Sequence, residues 1–324
     1  MLVTAAEDAG VERQRFLDDA RISMPLLDDS SARLPAADYQ RIVRAALSST
    51  GDPALGLHMG ERAGTGCFDV LGHLAESSPN LRDALEMCDR YSRIATEGPR
   101  LELQEHDAIA TVRFEGLGED PLEAQLVAEF STTALLGLIR RFVASTVQPD
   151  AVLFSYPAPA PAHRAEYTRV FRGYERFSQA FSGLQFDRSW LDRKRLNYSR
   201  ALWTHLQARA EHLLTRLEHE APATERVKRW LAADPLQTKP TMELAARALG
   251  MSGRSLRRRL SDEGAVYSDL LEQAQATRAK GLLADERRSV QEAAFAMGFA
   301  TPNAFTRAFK RWTGRSPSAH RAAR

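Results

Sequence analysis

Two helix-turn-helix patterns near the carboxy-terminal end, one at Met242 to Glu263 and one at Ser289 to Trp312, joined by a single helical stretch, constrain this 324-residue chain most. In the second pattern Val290, Ala293, Ala294 and Met297 recur at helical spacing and stop at Gly298. A glycine there ends a helix, because it takes the left-handed conformation without a Cβ penalty. Thr301 suits the next N-cap and Pro302 the first helical position. Phe305, Phe309 and Trp312 then form an apolar stripe at i, i+4, i+7, leaving Asn303, Thr306, Arg307 and Lys310 on the remaining face. The first pattern repeats the logic. Leu244, Ala245, Ala248 and Leu249 supply the apolar face, Gly250 the break, Ser252 the cap, and Leu256 with Leu260 the anchor. Its outward residues are Arg254, Arg257, Arg258 and Arg259. Arginines this dense repel one another unless an anionic or hydrogen-bonding surface faces them, and arginine is the commonest bidentate reader of guanine. A solvated basic face explains one such helix equally well; two in tandem favour a pair of helices offered to the major groove of a duplex.

The run Gly298-Phe-Ala-Thr-Pro-Asn-Ala-Phe-Thr-Arg-Ala-Phe-Lys-Arg-Trp-Thr-Gly-Arg-Ser-Pro317, followed by His320-Arg321, resembles the signature of AraC/XylS-type transcription regulators, and the likeness covers Thr224 to Arg324. It implies an all-α domain at 224–324 whose helix-turn-helix units, about 242–263 and 289–312, are held by a connecting helix at 267–283. The two contacts on double-stranded DNA would lie one helical turn, about 34 Å, apart. Carried over residue by residue, the family's base-facing positions fall on Arg254, Arg257 and Arg258 in the first unit and on Pro302, Asn303 and Arg307 in the second. Lys310 is assigned to phosphate. Pro302 has no side-chain donor, so the second unit reads fewer bases than the first. The connecting helix departs from the family pattern, with Gln275-Ala276 where Arg-Leu is common, and with Gly281, which costs on the order of 1 kcal/mol against alanine inside a helix.

Charge supports this division independently. From Thr224 onward there are 19 Lys+Arg against 10 Asp+Glu; of the chain's totals of 44 and 42, that leaves 25 against 32 before it. A net of +9 suits phosphates and a net of −7 does not. The early acidic residues Glu7, Asp8, Glu12, Asp18 and Asp19 argue against a signal peptide, and no apolar run approaches the roughly 18 residues of a membrane span, so a cytoplasmic protein with no membrane partner is expected. Cys67 and Cys88, not in a C-x-x-C arrangement, fit a reducing compartment and read as small core residues.

A polar, proline-bearing stretch at 219–223 separates an amino-terminal domain, 1–218, from a new helix capped by Thr224-Glu225. Within 1–218, helices at Pro35 to Ser48, Asn80 to Ile94 and Leu122 to Val143 alternate with strands at Arg100 to Glu105, Ala108 to Glu115 and Ala151 to Tyr156, which defines an α/β or α+β domain. Pro157-Ala-Pro-Ala-Pro161 reads as a loop. From Gly51 to Leu85, with Leu71-Gly72-His73 and Ser77-Ser78-Pro79, the chain resembles the arabinose-binding-like amino-terminal domain of an AraC-type subgroup, over roughly Leu17 to Leu191. That likeness implies effector sensing or dimerisation, with an unknown small-molecule effector, a homodimer, and RNA polymerase as partner if the protein activates.

Leu206, Ala210, Leu213 and Leu217 have the four-and-three spacing of a coiled-coil seam, which serves either dimerisation or packing on the same domain. His205, His212 and His219 share that helix without the partners a metal site needs, and Gly64-Thr-Gly66 lacks both a third glycine and a preceding strand. Tyr91, Tyr156, Tyr167, Phe171 and Tyr174 read as core. No G-x-S-x-G, H-E-x-x-H or P-loop motif occurs, so no catalytic residue, metal or cofactor is expected. The competing class is an enzyme with an appended DNA-binding domain; a constitutive DNA-binder leaves the long acidic domain without purpose.

Overall fold

A computed structural model describes residues 1–24, 36–95, 99–118, 120–195, 198–233, 240–284 and 288–322. Its contacts divide the chain into two units, Met1–Thr215 and Arg216–Arg324. The first begins with six helices: α1 (Leu2–Asp8), α2 (Arg13–Ala20), α3 (Ala36–Thr50), α4 (Leu55–Arg62), α5 (Asp69–Glu76) and α6 (Leu81–Ala95). The hairpin β1 (Arg100–His106) and β2 (Ile109–Glu115) follows, then α7 (Pro121–Phe142), β3 (Ala151–Leu153), α8 (Pro161–Phe171), β4 (Glu175–Arg176), β5 (Ser182–Asp187) and α9 (Arg200–Glu220). The strands form one mixed sheet in the order β1-β2-β5-β3-β4. Pairing is antiparallel except between β3 and β4. Val112, Val152, Leu184 and Phe186 point from it into a core shared with α6, α7 and α8.

Several expected boundaries move for local reasons. Pro35, the expected start of α3, lies outside the described residues. The strand expected to reach Tyr156 ends at Leu153: on the β5 side the Ser155 amide donates to the Ser182 hydroxyl at 3.1 Å in place of a ladder bond, while on the other side the Phe154 amide still reaches the Arg176 carbonyl at 2.9 Å. Pro161 does not belong to the loop: it opens α8 at the first helical position, where a missing N–H costs nothing. Cys67 is exposed, not core, and Tyr174 is also exposed; Cys88 is packed against the core, and burial pushes its thiol up to about 12.

Helix α7 corrects another expectation. With 22 residues and a mean hydropathy of 1.3 over its most apolar stretch, it is long and apolar enough to cross a membrane. Its apolar side chains are used internally: Leu126 joins the cluster around α1 to α3, while Ala128, Leu135, Leu136 and Ile139 join the sheet core. At its centre Glu129 is 2% exposed, accepting hydrogen bonds from Gln125 at 2.9 Å and from the Tyr167 hydroxyl. A satisfied buried carboxylate marks a protein interior.

Helix α4 lies very close to α7. A Cβ at Gly56 would fall 2.6 Å from the Leu126 carbonyl, and one at Gly60 would fall 2.5 Å from the Thr133 Cβ. Two glycines one turn apart let the backbones approach this far, and they fix the face of α4 that carries His58 and Arg62 away from α7. Helix α9 packs on α5 and α6 through Trp203, Leu206, Ala210 and Leu214, which meet Leu71, Leu74, Met87 and Tyr91. Leu206 and Ala210 of the seam are therefore spent on their own domain. The seam is not a free stripe.

The second unit continues with α10 (Ala223–Ala232), α11 (Met242–Ala248), α12 (Gly253–Asp262), α13 (Tyr267–Ala284), α14 (Val290–Ala296), α15 (Pro302–Thr313) and α16 (Pro317–Ala322). Because α9 runs to Glu220, only Ala221 and Pro222 interrupt the helices at the expected break. Helix α13 serves two cores. Leu270, Leu271 and Ala274 pack with α10, α11 and α12, whereas Ala279, Leu282 and Leu283 pack with α14 and α15.

Candidate nucleic-acid interface

Both turns close in the same way. Gly250 has φ +70° and Gly298 φ +78°, a left-handed conformation that costs any Cβ-bearing residue roughly 1–2 kcal/mol. The following amides reach back five residues, Met251 to the Ala246 carbonyl at 2.8 Å and Phe299 to the Ala294 carbonyl at 3.0 Å, which satisfies carbonyls the helix ends leave open. The next helices start on side-chain caps: Ser252 accepts from the Ser255 amide at 3.1 Å and Thr301 from the Ala304 amide at 3.3 Å. Helix α14 adds a capping box, Ser289 with Glu292, whose carboxylate is held below its usual range first by the Ser289 amide and then by its hydroxyl. Pro302 is the first residue of α15 and is half-buried.

Residues two apart on a helix are about 200° apart in azimuth, so anchoring one stripe presents the other. Leu256 and Leu260 are buried and turn Arg254 and Arg258 outward, with Arg257 beside them; Phe305 and Phe309 are buried and turn Asn303, Arg307 and Lys310 outward. Arg254, Arg257, Arg258, Asn303, Arg307 and Lys310 are all exposed, and none is engaged in an ion pair or side-chain hydrogen bond with another described residue. Arg311, beside them on α15, is instead tied to Glu272 of α13 at 3.0 Å. The structure thus offers two helices whose exposed cationic and amide groups have no ion-pair or side-chain hydrogen-bond partner among the described residues, each helix braced by the same connecting helix.

The expected apolar face of α11 is displaced by one residue. Leu244 is 40% exposed and Ala248 is exposed; Ala245 and Ala246 are buried, with Met242 and Leu249 half-buried. Alanines at 245, 246 and 248 make two neighbouring stripes equally apolar, and docking on α10 and α12 selects the one that includes Met242.

The start of α10 differs as well. Thr224-Glu225 does not cap it; Pro222 is the N-cap and offers no side-chain bond. The Glu263 carboxylate, just past α12, takes that part by accepting from the Ala223 amide at 2.7 Å, the Thr224 amide at 2.8 Å and the Thr224 hydroxyl at 2.6 Å. Burial pushes this carboxyl upward, but the Thr224 hydroxyl and the two amides outweigh it and hold it below the usual carboxylate range. Nothing at sequence level marks a contact 40 residues apart.

This arrangement, two helix-turn-helix units on one connecting helix with basic outward faces, defines a DNA-binding transcription regulator. The comparisons agree. Residues 10–194 match the family model of the arabinose-binding domain of AraC transcription regulator, N-term, and residues 245–323 match that of a helix-turn-helix domain. The chain is 33% identical to the ornithine utilization regulator of Pseudomonas aeruginosa, over 99% of this chain and 94% of that one. It is 24% identical to the HTH-type transcriptional regulator VirS of Mycobacterium tuberculosis, over 97% and 92%. The crystal structure of transcriptional regulator CdpR from Pseudomonas aeruginosa is 25% identical, covers 95% of this chain and 96% of that one, and superposes with a TM-score of 0.45. The chain belongs to the AraC-type transcription regulators whose amino-terminal domain is of the arabinose-binding type.

Proposed function

We propose that residues 224–324 read an operator through α12 and α15, and that residues 1–218 sense a small-molecule effector and control that reading. Arg254, Arg257, Arg258, Asn303 and Arg307 make base-edge contacts in two successive major-groove segments, Pro302 packs at the entry of α15, and Lys310 contacts phosphate. The observation that carries this is the exposure of these cationic and amide groups without an ion-pair or side-chain hydrogen-bond partner among the described residues. Leaving them uncompensated is favourable where phosphates and guanine edges complete them. The protein works in the cytoplasm as a homodimer and meets RNA polymerase if it activates. Its similarity to a regulator named for ornithine utilization supports a small amino-acid-type metabolite as the effector class. An effector shifts the equilibrium only by binding one arrangement better than the other.

Selection of a duplex from a random library, followed by gel-shift titration, tests the reading. Arg257→Ala and Asn303→Ala are each expected to cost about 1–3 kcal/mol on the selected site and much less on random DNA. Lys310→Ala is expected to weaken both alike and to reduce the salt slope by about one unit. Equal losses on selected and random DNA for Arg257→Ala and Asn303→Ala would contradict base reading by those residues.

A further inference from the structure

Aligned on their caps, Ser252 with Thr301, and on their anchors, Leu256 with Phe305 and Leu260 with Phe309, helices α12 and α15 carry different chemistry at matching positions. Arg254 corresponds to Asn303, Arg257 to Thr306 and Arg258 to Arg307; on the next turn Ser261 corresponds to Lys310 and Asp262 to Arg311. Residues three and four positions on from a given one lie about 60° to one side of it and about 40° to the other, so Arg254, Arg257 and Arg258 share an arc of about 100° on the outward face. All three are exposed and lack an ion-pair or side-chain hydrogen-bond partner among the described residues. Within the same arc α15 offers one guanidinium, Arg307, beside the Asn303 amide and the half-buried Thr306, and it opens on the half-buried Pro302. On the next turn the order reverses. Helix α12 continues with Ser261 and the acidic Asp262, both exposed, whereas α15 continues with the exposed Lys310 and with Arg311, whose charge Glu272 already meets at 3.0 Å.

We propose that the operator is asymmetric: the groove segment under α12 is dense in guanine and supplies most of the sequence discrimination, while the segment under α15 supplies an adenine and a single guanine and retains the duplex chiefly through its phosphates. The proposal rests on the reading of α12 and α15 as the DNA-facing helices. A recognition helix meets base edges with its N-terminal residues, which leaves its later turns to the backbone. The first unit therefore concentrates guanidiniums over the groove floor, and the second places its free lysine one turn later. Arginine's planar fork matches the O6 and N7 acceptors of guanine, and the asparagine amide matches N6 and N7 of adenine. Phosphates alone would also neutralise three crowded guanidiniums, but Asp262 sets a carboxylate where α12 would otherwise turn toward the backbone. Base edges are the acceptors left for the arginines before it.

Selection of duplexes from a random library by the full chain, followed by titration with base analogues, provides the test. The selected site is expected to hold two boxes about 10 base pairs apart, one of them with about two to three guanines. 7-Deazaguanine, which removes the N7 acceptor and keeps base pairing, is expected to weaken binding about fivefold at each of those guanines. Each loss is expected to vanish in one of Arg254→Ala, Arg257→Ala or Arg258→Ala and to persist in Arg307→Ala, which assigns the box to α12. Replacing the adenine of the other box is expected to weaken the unaltered chain about tenfold and Asn303→Ala far less. Arg257→Lys, which keeps the charge and loses the fork, is expected to bind the selected site about tenfold more weakly and random DNA equally well. Two equally guanine-rich boxes, 7-deazaguanine losses that persist in all three α12 variants, or no effect of 7-deazaguanine would overturn the asymmetry. A chain that selects no duplex fails as a DNA reader altogether, whereas one that selects a site without a guanine-dense box keeps the regulator and loses this inference.

Discussion

Replacing Glu263 with alanine removes the cap of α10 from a distance of 40 residues. The carboxylate accepts two backbone amides and one hydroxyl at 2.6 to 2.8 Å. Loss of an N-cap costs about 0.5–2 kcal/mol, and loss of a negative charge at a helix N-terminus about 0.3–1 kcal/mol. Because Glu263 is exposed and Thr224 only half-buried, water replaces part of what is lost, and a net of about 1–2 kcal/mol is expected. Native-state hydrogen exchange suits a two-unit chain better than a single melting midpoint, since it reports locally. Amides of 223–232 are expected to exchange about 5 to 30 times faster in Glu263→Ala, with those of β1 and β2 unchanged. Glu263→Gln, which keeps one acceptor and loses the charge, is expected to fall between. The pH dependence has a definite sign. The folded-state pKa is depressed, so the stabilisation is complete above the unfolded value of about 4.3 and is lost as pH falls through the folded value. Glu263→Gln should abolish that dependence. Exchange of 223–232 unaltered in Glu263→Ala would refute the assignment of Glu263 as the cap.

Three further outcomes are expected. Gly281 is exposed near the end of α13 with open space where a Cβ would stand, so Gly281→Ala should stabilise the second unit by about 1 kcal/mol in urea unfolding. Gly60→Ala places a methyl group 2.5 Å from Thr133 and should destabilise the first unit by about 1–3 kcal/mol, read as a lowered urea midpoint. Cys67 is expected to react with iodoacetamide in the folded protein while Cys88 reacts only on unfolding, which mass spectrometry of the alkylated peptides resolves.

The helix-turn-helix units were legible because their signals are local. A glycine, a capping hydroxyl and a stripe at i, i+4, i+7 act within one or two turns, so Gly250, Gly298, Ser252, Thr301 and the Phe305-Phe309 anchor lie where spacing alone predicts them. Outward placement of Arg254, Arg257, Arg258, Asn303, Arg307 and Lys310 follows from the same periodicity, since burying one stripe leaves the opposite face no alternative. Where composition offered two equal choices, as with the alanines of α11, periodicity lost its power and packing decided.

The sequence by itself therefore determined the architecture of the DNA-facing end, the sign of charge on each domain and the family. Tertiary structure alone decided that Glu263 caps α10, that α9 spends Leu206 and Ala210 on its own domain, and that α7 is a core helix despite its membrane-like composition. It also decided that Glu272 meets Arg311. Each of these depends on groups distant in the chain meeting at hydrogen-bond or van der Waals range, and a single sequence records what a residue can do but not which distant partner it meets.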